Sequence, residues 1–227
     1  MSSDDSLRIR IHAIPTPGPW LLIDATWPVA AAGVWENGAW RSFVKTEGAV
    51  TGTLFVALET ALKSAGTKPA DLAGYLYASG PGSVLGLRTA AMVFGTWRAT
   101  PGLAVKPVLA YDSLALSARL AKRSGLGDAT VFAAARRDHW NVYSSASPVS
   151  MLSDSNGLAG MRAPFLRLPG RDFSPPPVPF ENFDPIAALE SNPGVFDEPG
   201  LLFETDTPDA ANLANQYVTW SGERHKA

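Results

Sequence analysis

A buried strand that runs directly into a glycine turn and a long helix is the clearest local pattern in the chain. The apolar run 72–78 is followed by Ser79-Gly80-Pro81-Gly82-Ser83, and residues 84–99 have the composition of a helix that Ser83 can cap. A strand that feeds a helix through a tight turn is the repeating unit of α/β proteins. The segment therefore predicts an α/β fold.

The flanking segments extend this pattern. Upstream, a buried-type run at 20–24 precedes two strand-like runs at 31–36 and 40–45, which Asn37-Gly38 separates as in a tight hairpin. Further helices are predicted at 51–65 and 113–123, and further strands at 104–110, 130–135 and 140–145. The resulting order, β-β-β-α-β-α-β-α-β-β, is a meander followed by alternating strands and helices.

The composition changes after residue 145. Proline becomes frequent, and the run Pro175-Pro176-Pro177 lies in a stretch without helical periodicity. In this region we expect short strands at best, with a helical turn at 185–189. A terminal helix is predicted at 208–220, because Pro208 suits a first helical turn and apolar residues beyond it share a face.

Composition and charge exclude several classes of protein. The chain has no cysteine, which rules out disulfides, thiol catalysis and cysteine-ligated metals. Its three histidines, His12, His139 and His225, are far apart in sequence, so no metal site is expected. A formal net charge of −2 lacks the basic field that duplex nucleic acids require. No signal-peptide core or membrane-spanning run is present, which predicts a cytoplasmic protein without membrane contact.

Two places have residues that could bind nucleotide or phosphate. Gly80, Gly82 and Ser83 open a helix, whose free N–H groups attract anions, although the spacing is that of neither a P-loop nor a dinucleotide fingerprint. Asp24 and Thr26, at the end of the first strand, could hold magnesium and phosphate. The alternatives stay open: glycines that permit tight strand–helix packing, and an aspartate that caps local N–H groups.

Residues 80–88, Gly-Pro-Gly-Ser-Val-Leu-Gly-Leu-Arg, closely resemble the GPGSFTGLR motif of the TsaB (YeaZ-like) family. Other segments agree in order: 23–26 is similar to the family's I-D-T-S, 107–116 to its P-L-x-G-V-S-S-L-E-A-L, and 134–143 to its D-A-R-R-x-E-V-Y. The resemblance extends over residues 20–143. The chain departs from the family where Thr51-Gly52-Thr53 stands in place of H-S-E, and where Ala134 replaces the aspartate of D-A-R-R.

The resemblance implies a fold and a division of the chain. The fold is the two-lobed actin-like ASKHA (ribonuclease H-like) fold, with a second lobe that is reduced and Pro-rich. On that plan an N-terminal extension at 1–19 precedes a first lobe at 20–110, and residues 111–207 form the smaller second lobe. The helix at 208–220 could pack on the first lobe.

The resemblance also implies a function, which is that of a non-catalytic scaffold in transfer-RNA modification. Family members help to install threonylcarbamoyl on adenosine 37 by dimerising with themselves or with the catalytic subunit TsaD, and the ATPase TsaE and ATP join the assembly. For this chain the resemblance predicts no catalytic residue and no cofactor of its own. ATP and magnesium would enter only through partners, and transfer RNA would be contacted only indirectly.

Two other functions stay open. One is an ASKHA-type ATPase or phosphotransferase that uses Asp24 and the glycine turn. The other is that of a diverged TsaB paralogue with another partner.

The partner contact implied by the resemblance lies on the helices at 51–65 and 84–99. The second helix is apolar most of the way round, so it is either buried on two sides or meets a partner on one. The predicted interface residues are Leu54, Leu58, Leu62, Leu87, Arg88, Ala91, Phe94 and Gly95.

Overall fold

The computed structural model describes residues 14–15, 17–100, 106–170 and 173–205. The predicted helix at 208–220 and most of the predicted N-terminal extension lie outside the described residues. Within them, the helices and strands predicted in the first 145 residues are present, most with bounds close to those expected. The strand predicted at 104–110 is observed at Val108–Tyr111, and residues 104–105 lie outside the described residues.

The first sheet contains the predicted meander. Its strands are β1 (Trp20–Asp24), β2 (Ala30–Glu36), β3 (Ala39–Thr46), β4 (Gly74–Ala78) and β5 (Val108–Tyr111). They lie in the order β5-β4-β1-β2-β3, with β1, β2 and β3 antiparallel and with β4 and β5 parallel to β1.

A second sheet repeats the same plan later in the chain. Its strands are β6 (Thr130–Arg136), β7 (His139–Ser144), β8 (Ser147–Asp154), β9 (Phe165–Arg167) and β10 (Glu181–Asn182). They lie in the order β8-β7-β6-β9-β10, with an antiparallel meander and two parallel additions. The chain thus has the predicted two-lobed α/β architecture. Its second lobe is reduced, because β9 and β10 are short and the proline-rich run lies between them.

Helices cover the sheets in layers. The helices are α1 (Val50–Ser64), α2 (Val84–Ala99), α3 (Ser113–Arg123), α4 (Ser155–Ala159) and α5 (Pro185–Ser191), the last confirming the helical turn predicted at 185–189. Residues of α1 and α2 pack on the outer face of the first sheet. Between the sheets, α3 and α5 contribute to a central core shared by both lobes, and α4 covers the outer face of the second sheet.

The strand β1 explains why the first sheet is buried on both faces. Trp20 and Leu22 point into the central core, whereas Leu21 and Ile23 point into the core under α1 and α2. Successive side chains of a strand alternate between faces, so a strand covered on both sides needs a continuous apolar run. The sequence at 20–24 supplies that run.

The chain returns to the first sheet at the end of the described residues. Phe203–Glu204 form β11, which pairs antiparallel with β5, although the sequence assigned these residues to the second lobe. The Phe203 side chain is buried in the core under α1 and α2, and this burial stabilises the return. A short 3-10 helix, Pro193–Asp197, lies between α5 and this strand.

Among the helices in the described part of the chain, none is long and apolar enough to cross a bilayer. The same residues contain no group of three or more His, Asp or Glu side chains arranged to hold a metal ion.

The hairpin between β2 and β3 gives a first testable prediction. Asn37 and Gly38 have φ angles of 51° and 78°, as a two-residue turn of this kind requires. Since a side chain at Gly38 would be held in the left-handed region, Gly38→Val should lower the free energy of unfolding by about 1–2 kcal/mol. Asn37→Gly should change the free energy of unfolding little, because glycine tolerates the left-handed region. Urea denaturation of both variants measures the difference, and equal stabilities would contradict the prediction.

Candidate functional site

The glycine turn and the end of β1 lie side by side, because β1 and β4 are parallel neighbours in the sheet. Ser83 begins α2 as its cap, and its Oγ accepts a hydrogen bond from the Gly86 N–H at 3.1 Å. The Ser83 N–H in turn donates to the Thr26 carbonyl at 2.8 Å. The two predicted phosphate-binding places are therefore brought together, and the glycine turn packs on the end of β1.

Two glycines make this packing possible. A Cβ atom at Gly82 would lie 2.5 Å from the Thr26 carbonyl oxygen, and one at Gly86 would lie 1.7 Å from the Ala25 carbonyl oxygen. Real Cβ atoms do not come so close to a backbone oxygen, so both positions require glycine. Close strand–helix packing, one of the two explanations offered by the sequence, accounts for these residues without any ligand. Phosphate binding by Gly80, Gly82 and Ser83 stays a prediction.

The Asp24 carboxylate is fully buried, and three donors of the chain itself surround it. Its Oδ1 accepts hydrogen bonds from the Thr26 N–H at 2.9 Å and from the Thr26 hydroxyl at 2.5 Å. Its Oδ2 accepts a hydrogen bond from the Tyr111 hydroxyl at 2.9 Å. Because Asp24 is completely buried, a magnesium ion could reach this carboxylate only if the side chains around it moved. The capping role that the sequence offered as the alternative for Asp24 is the one this geometry supports.

Burial has the largest effect on the pKa values of Asp24 and Tyr111. It raises the pKa of the Asp24 carboxyl above its usual value, while the hydrogen bonds from Thr26 and Tyr111 act in the opposite direction. Burial and the adjacent Asp24 raise the pKa of the Tyr111 phenol well above its usual value. The phenol therefore keeps its proton and remains a hydrogen-bond donor to the carboxylate.

Tyr111 is the member of this site that the sequence did not indicate. It ends β5, and its carbonyl accepts a hydrogen bond from the Ser79 N–H at 2.9 Å. On the next helix, Ser113 donates from its N–H to the Gly80 carbonyl and from its hydroxyl to the Pro81 carbonyl. The glycine turn is thus held on one side by residues 24–26 and on the other by the start of α3.

The predicted interface residues divide into two groups. Five of them are buried in the core between the helices and the first sheet, so predicting them as surface contacts was wrong. These five are Leu54, Leu58, Leu62, Leu87 and Phe94. Their helical spacing marks the side of each helix that faces the sheet. Arg88 and Gly95 are exposed and Ala91 is half-buried, which keeps these three on the accessible side of α2.

Four other apolar residues occupy the outer surface of α1 and α2. The exposed fractions are 45% for Phe55, 59% for Val56, 57% for Leu85 and 66% for Met92. The two helices contact each other on the same side of the sheet. We call Phe55, Val56, Leu85 and Met92, together with Arg88, Ala91 and Gly95, the helical face. The sequence signal for it was present, since Leu85, Arg88 and Met92 recur at helical spacing away from the buried stripe.

An open cleft of about 520 Å³ lies at the C-terminal end of α3. Its charged side chains are already paired: Lys122 with Asp128 at 3.0 Å, and Arg119 and Arg123 with Glu198 at 3.2 and 2.5 Å. The cleft therefore combines both signs of charge and presents no concentrated basic or acidic field.

The fold is that of a protein of known structure. No family model and no curated protein sequence matches the chain. YeaZ from Pseudomonas aeruginosa superposes with a TM-score of 0.54 and 19% sequence identity, over 76% of this chain and 89% of that one. A second solved structure is described as an uncharacterized protein with similarity to peptidase YeaZ from Pseudomonas aeruginosa. It superposes with a TM-score of 0.53 and 18% sequence identity, over 77% of this chain and 90% of that one. The chain thus has the YeaZ fold, which is of the actin-like ASKHA class.

The glycines of α2 give a second prediction. Gly86→Ala should lower the free energy of unfolding by about 1–3 kcal/mol or more, because the new methyl group overlaps the Ala25 carbonyl. Gly95→Ala is the matched control on the same helix. A Cβ atom there meets nothing within 4 Å, so this substitution should raise the free energy of unfolding by about 0.5–1 kcal/mol. Urea denaturation measures both, and a stable Gly86→Ala variant would contradict the close approach.

Asp24 gives a third prediction, on pH. Its folded pKa lies above the ordinary 3.8, so the folded state binds the proton more tightly than the unfolded chain does. The contribution of Asp24 to stability is therefore complete below pH 3.8 and is lost as pH rises through the folded pKa. The stability of Asp24→Asn relative to the natural chain should accordingly increase over that window and then level off. Denaturation of both proteins across pH measures this difference, and a difference that falls with pH would contradict the assignment.

Proposed function

We propose that this chain is a non-catalytic scaffold of the TsaB (YeaZ-like) family, which acts in the threonylcarbamoylation of adenosine 37 of transfer RNA. It would do so by dimerising with a TsaD-like catalytic subunit through the helical face. The YeaZ fold and the resemblance of residues 80–88 to the family's glycine motif both support this assignment. A TsaE-like ATPase would join the assembly, and ATP and magnesium would enter with the partners.

The exposure of apolar side chains on α1 and α2 is the observation that carries the proposal. Single exposed apolar residues are normal on protein surfaces, but several on two neighbouring helices form a surface that a partner can cover. Complete burial of a Leu, Phe or Met side chain is worth about 1.5–3 kcal/mol. Met92 and Leu85, each more than half exposed, retain much of that free energy for association.

The rest of the helical face also suits a packed helix from another chain. A Cβ atom at Gly95 would meet no atom within 4 Å, so the surface there is open and the partner's backbone can approach closely. Arg88 lies between Leu85 and Met92 on the same helix and can pair with a carboxylate of the partner. Methionine and arginine are enriched at protein interfaces, and a charge among apolar side chains fixes where the partner sits as well as how tightly it binds.

The environment of Asp24 favours a scaffold over an ATPase. A catalytic or metal-binding carboxylate must be accessible to its ligand, whereas Asp24 is completely buried and accepts its hydrogen bonds from Thr26 and Tyr111. Of the two glycines predicted to cradle a phosphate, Gly82 is required for packing against Thr26. The formal net charge of −2 agrees with transfer-RNA contact through the partner.

The experiment that tests the proposal is co-expression with the TsaD-like protein of the same organism, followed by size-exclusion chromatography with light scattering. We expect a one-to-one heterodimer. Leu85→Glu and Met92→Glu each place a charge where the partner would bury an apolar side chain, and each should abolish the complex. Both residues are exposed, so the variants should remain folded. Leu126→Glu, at an exposed leucine beyond α3, is the matched control and should leave the complex intact.

Three outcomes would count against the proposal. A complex that survives both substitutions would remove the helical face as the interface. A homodimer that does not bind the TsaD-like protein would indicate a diverged paralogue with another partner. Calorimetric binding of magnesium–ATP by the chain alone, lost in Asp24→Ala, would favour the ATPase.

A further inference from the structure

The segment that follows α5 contributes apolar side chains to the core between the two sheets. We call residues 193–204 the strap; it contains the 3-10 helix Pro193–Asp197 and the strand β11. Its apolar side chains, Val195, Phe196, Leu201 and Leu202, are almost completely buried in the central core. At its end, Phe203 enters the other core, under α1 and α2. The strap therefore belongs to the packing of both faces of the first sheet.

Aromatic residues of the first sheet surround the strap at Phe196. The Phe196 ring lies 6.4 Å from the Trp35 ring and 6.1 Å from the Trp40 ring, both edge to face, and 5.6 Å from the Tyr111 ring. These three residues belong to β2, β3 and β5. The Trp35 indole also donates a hydrogen bond to the Pro193 carbonyl at 2.9 Å. The contact thus extends across most of the width of the first sheet.

The other side of the strap is fixed to α3, which packs on β6, β7 and β8 of the second sheet. Glu198 accepts a hydrogen bond from Arg119 through one carboxylate oxygen, at 3.2 Å, and from Arg123 through the other, at 2.5 Å. The same two guanidinium groups donate to the carbonyls of Pro199 and Gly194, at 3.1 and 3.0 Å. Charge-assisted bonds that engage both oxygens of one carboxylate hold its position more firmly than a single contact does.

We infer that the strap locks the two lobes of this chain in one arrangement, so that they do not move apart as hinged bodies. Hinged closure needs lobes that separate without breaking packed contacts at the hinge side and in the cleft. Here any separation would pull Phe196 out of its aromatic site or break both arginine contacts of Glu198. Because Phe196 packs on Tyr111, which donates to Asp24, the lock also holds the hydrogen bonds around that carboxylate. The inference concerns the lobes and does not depend on the partner proposed above.

Distance measurement between spin labels tests the lock. The chain has no cysteine, so Lys63→Cys on α1 and Asn156→Cys on α4 give a single labelled pair that joins the outer helices of the two sheets. Dilution of the labelled chain with unlabelled chain removes distances between molecules. We expect one narrow distance distribution that magnesium–ATP leaves unchanged. In Phe196→Ala we expect a broader distribution with a second population at longer distance.

A matched control and a second variant complete the test. Phe173→Ala removes an exposed ring from the second lobe and should keep the narrow distribution. If Phe196→Ala fails to fold, as far-UV circular dichroism would reveal, Glu198→Gln decides the matter. It keeps the shape of the side chain but removes the charge that Arg119 and Arg123 share, and it should broaden the distribution. Two populations in the natural chain would overturn the inference. A distance distribution as narrow as that of the natural chain, in folded Phe196→Ala or in Glu198→Gln, would also overturn it.

Discussion

The contact between the first turn of α2 and the end of β1 fixes most of this structure. Gly86 allows the helix to lie directly on the Ala25 carbonyl, and Ser83 ties the same turn to Thr26. Once α2 begins there, its buried side covers the sheet and its other side faces outward with Leu85 and Met92. The glycine motif thus sets the position of the proposed partner surface, to which its own Leu85 and Arg88 contribute.

The sequence predicted the elements that have strong local signals. The Asn37-Gly38 turn and the caps Ser83 and Asp112 act on neighbouring backbone, so the hairpin and two helix starts could be located without knowledge of the tertiary fold. The order of elements predicted an α/β fold, the family resemblance implied its two lobes, and the YeaZ structure confirms the fold. Short strands such as β9 and β10 have too few residues to show a period.

The candidate site was predicted less completely because its partners are distant in sequence. Asp24 and Thr26 could be selected as polar residues at a strand end, but the hydrogen bond from Tyr111 spans 87 positions and has no local signature. The interface prediction followed the apolar stripe at 54, 58 and 62, which is the stripe that a sheet buries. Phe55 and Val56 lie beside that stripe, and only the three-dimensional packing separates the two sides.

The short strand β11 bears on the order in which the chain can fold as it is synthesised. Among the residues that the structure describes, the last strand of the second sheet ends at Asn182, whereas the first sheet takes its edge strand from Phe203–Glu204. A nascent chain leaves the ribosome N-terminus first, and domains usually fold in that direction. Here the lobe that begins first is completed last, since its edge strand arrives only after the second sheet has been made. Until then the backbone edge of β5 is open to pairing with strands of other chains.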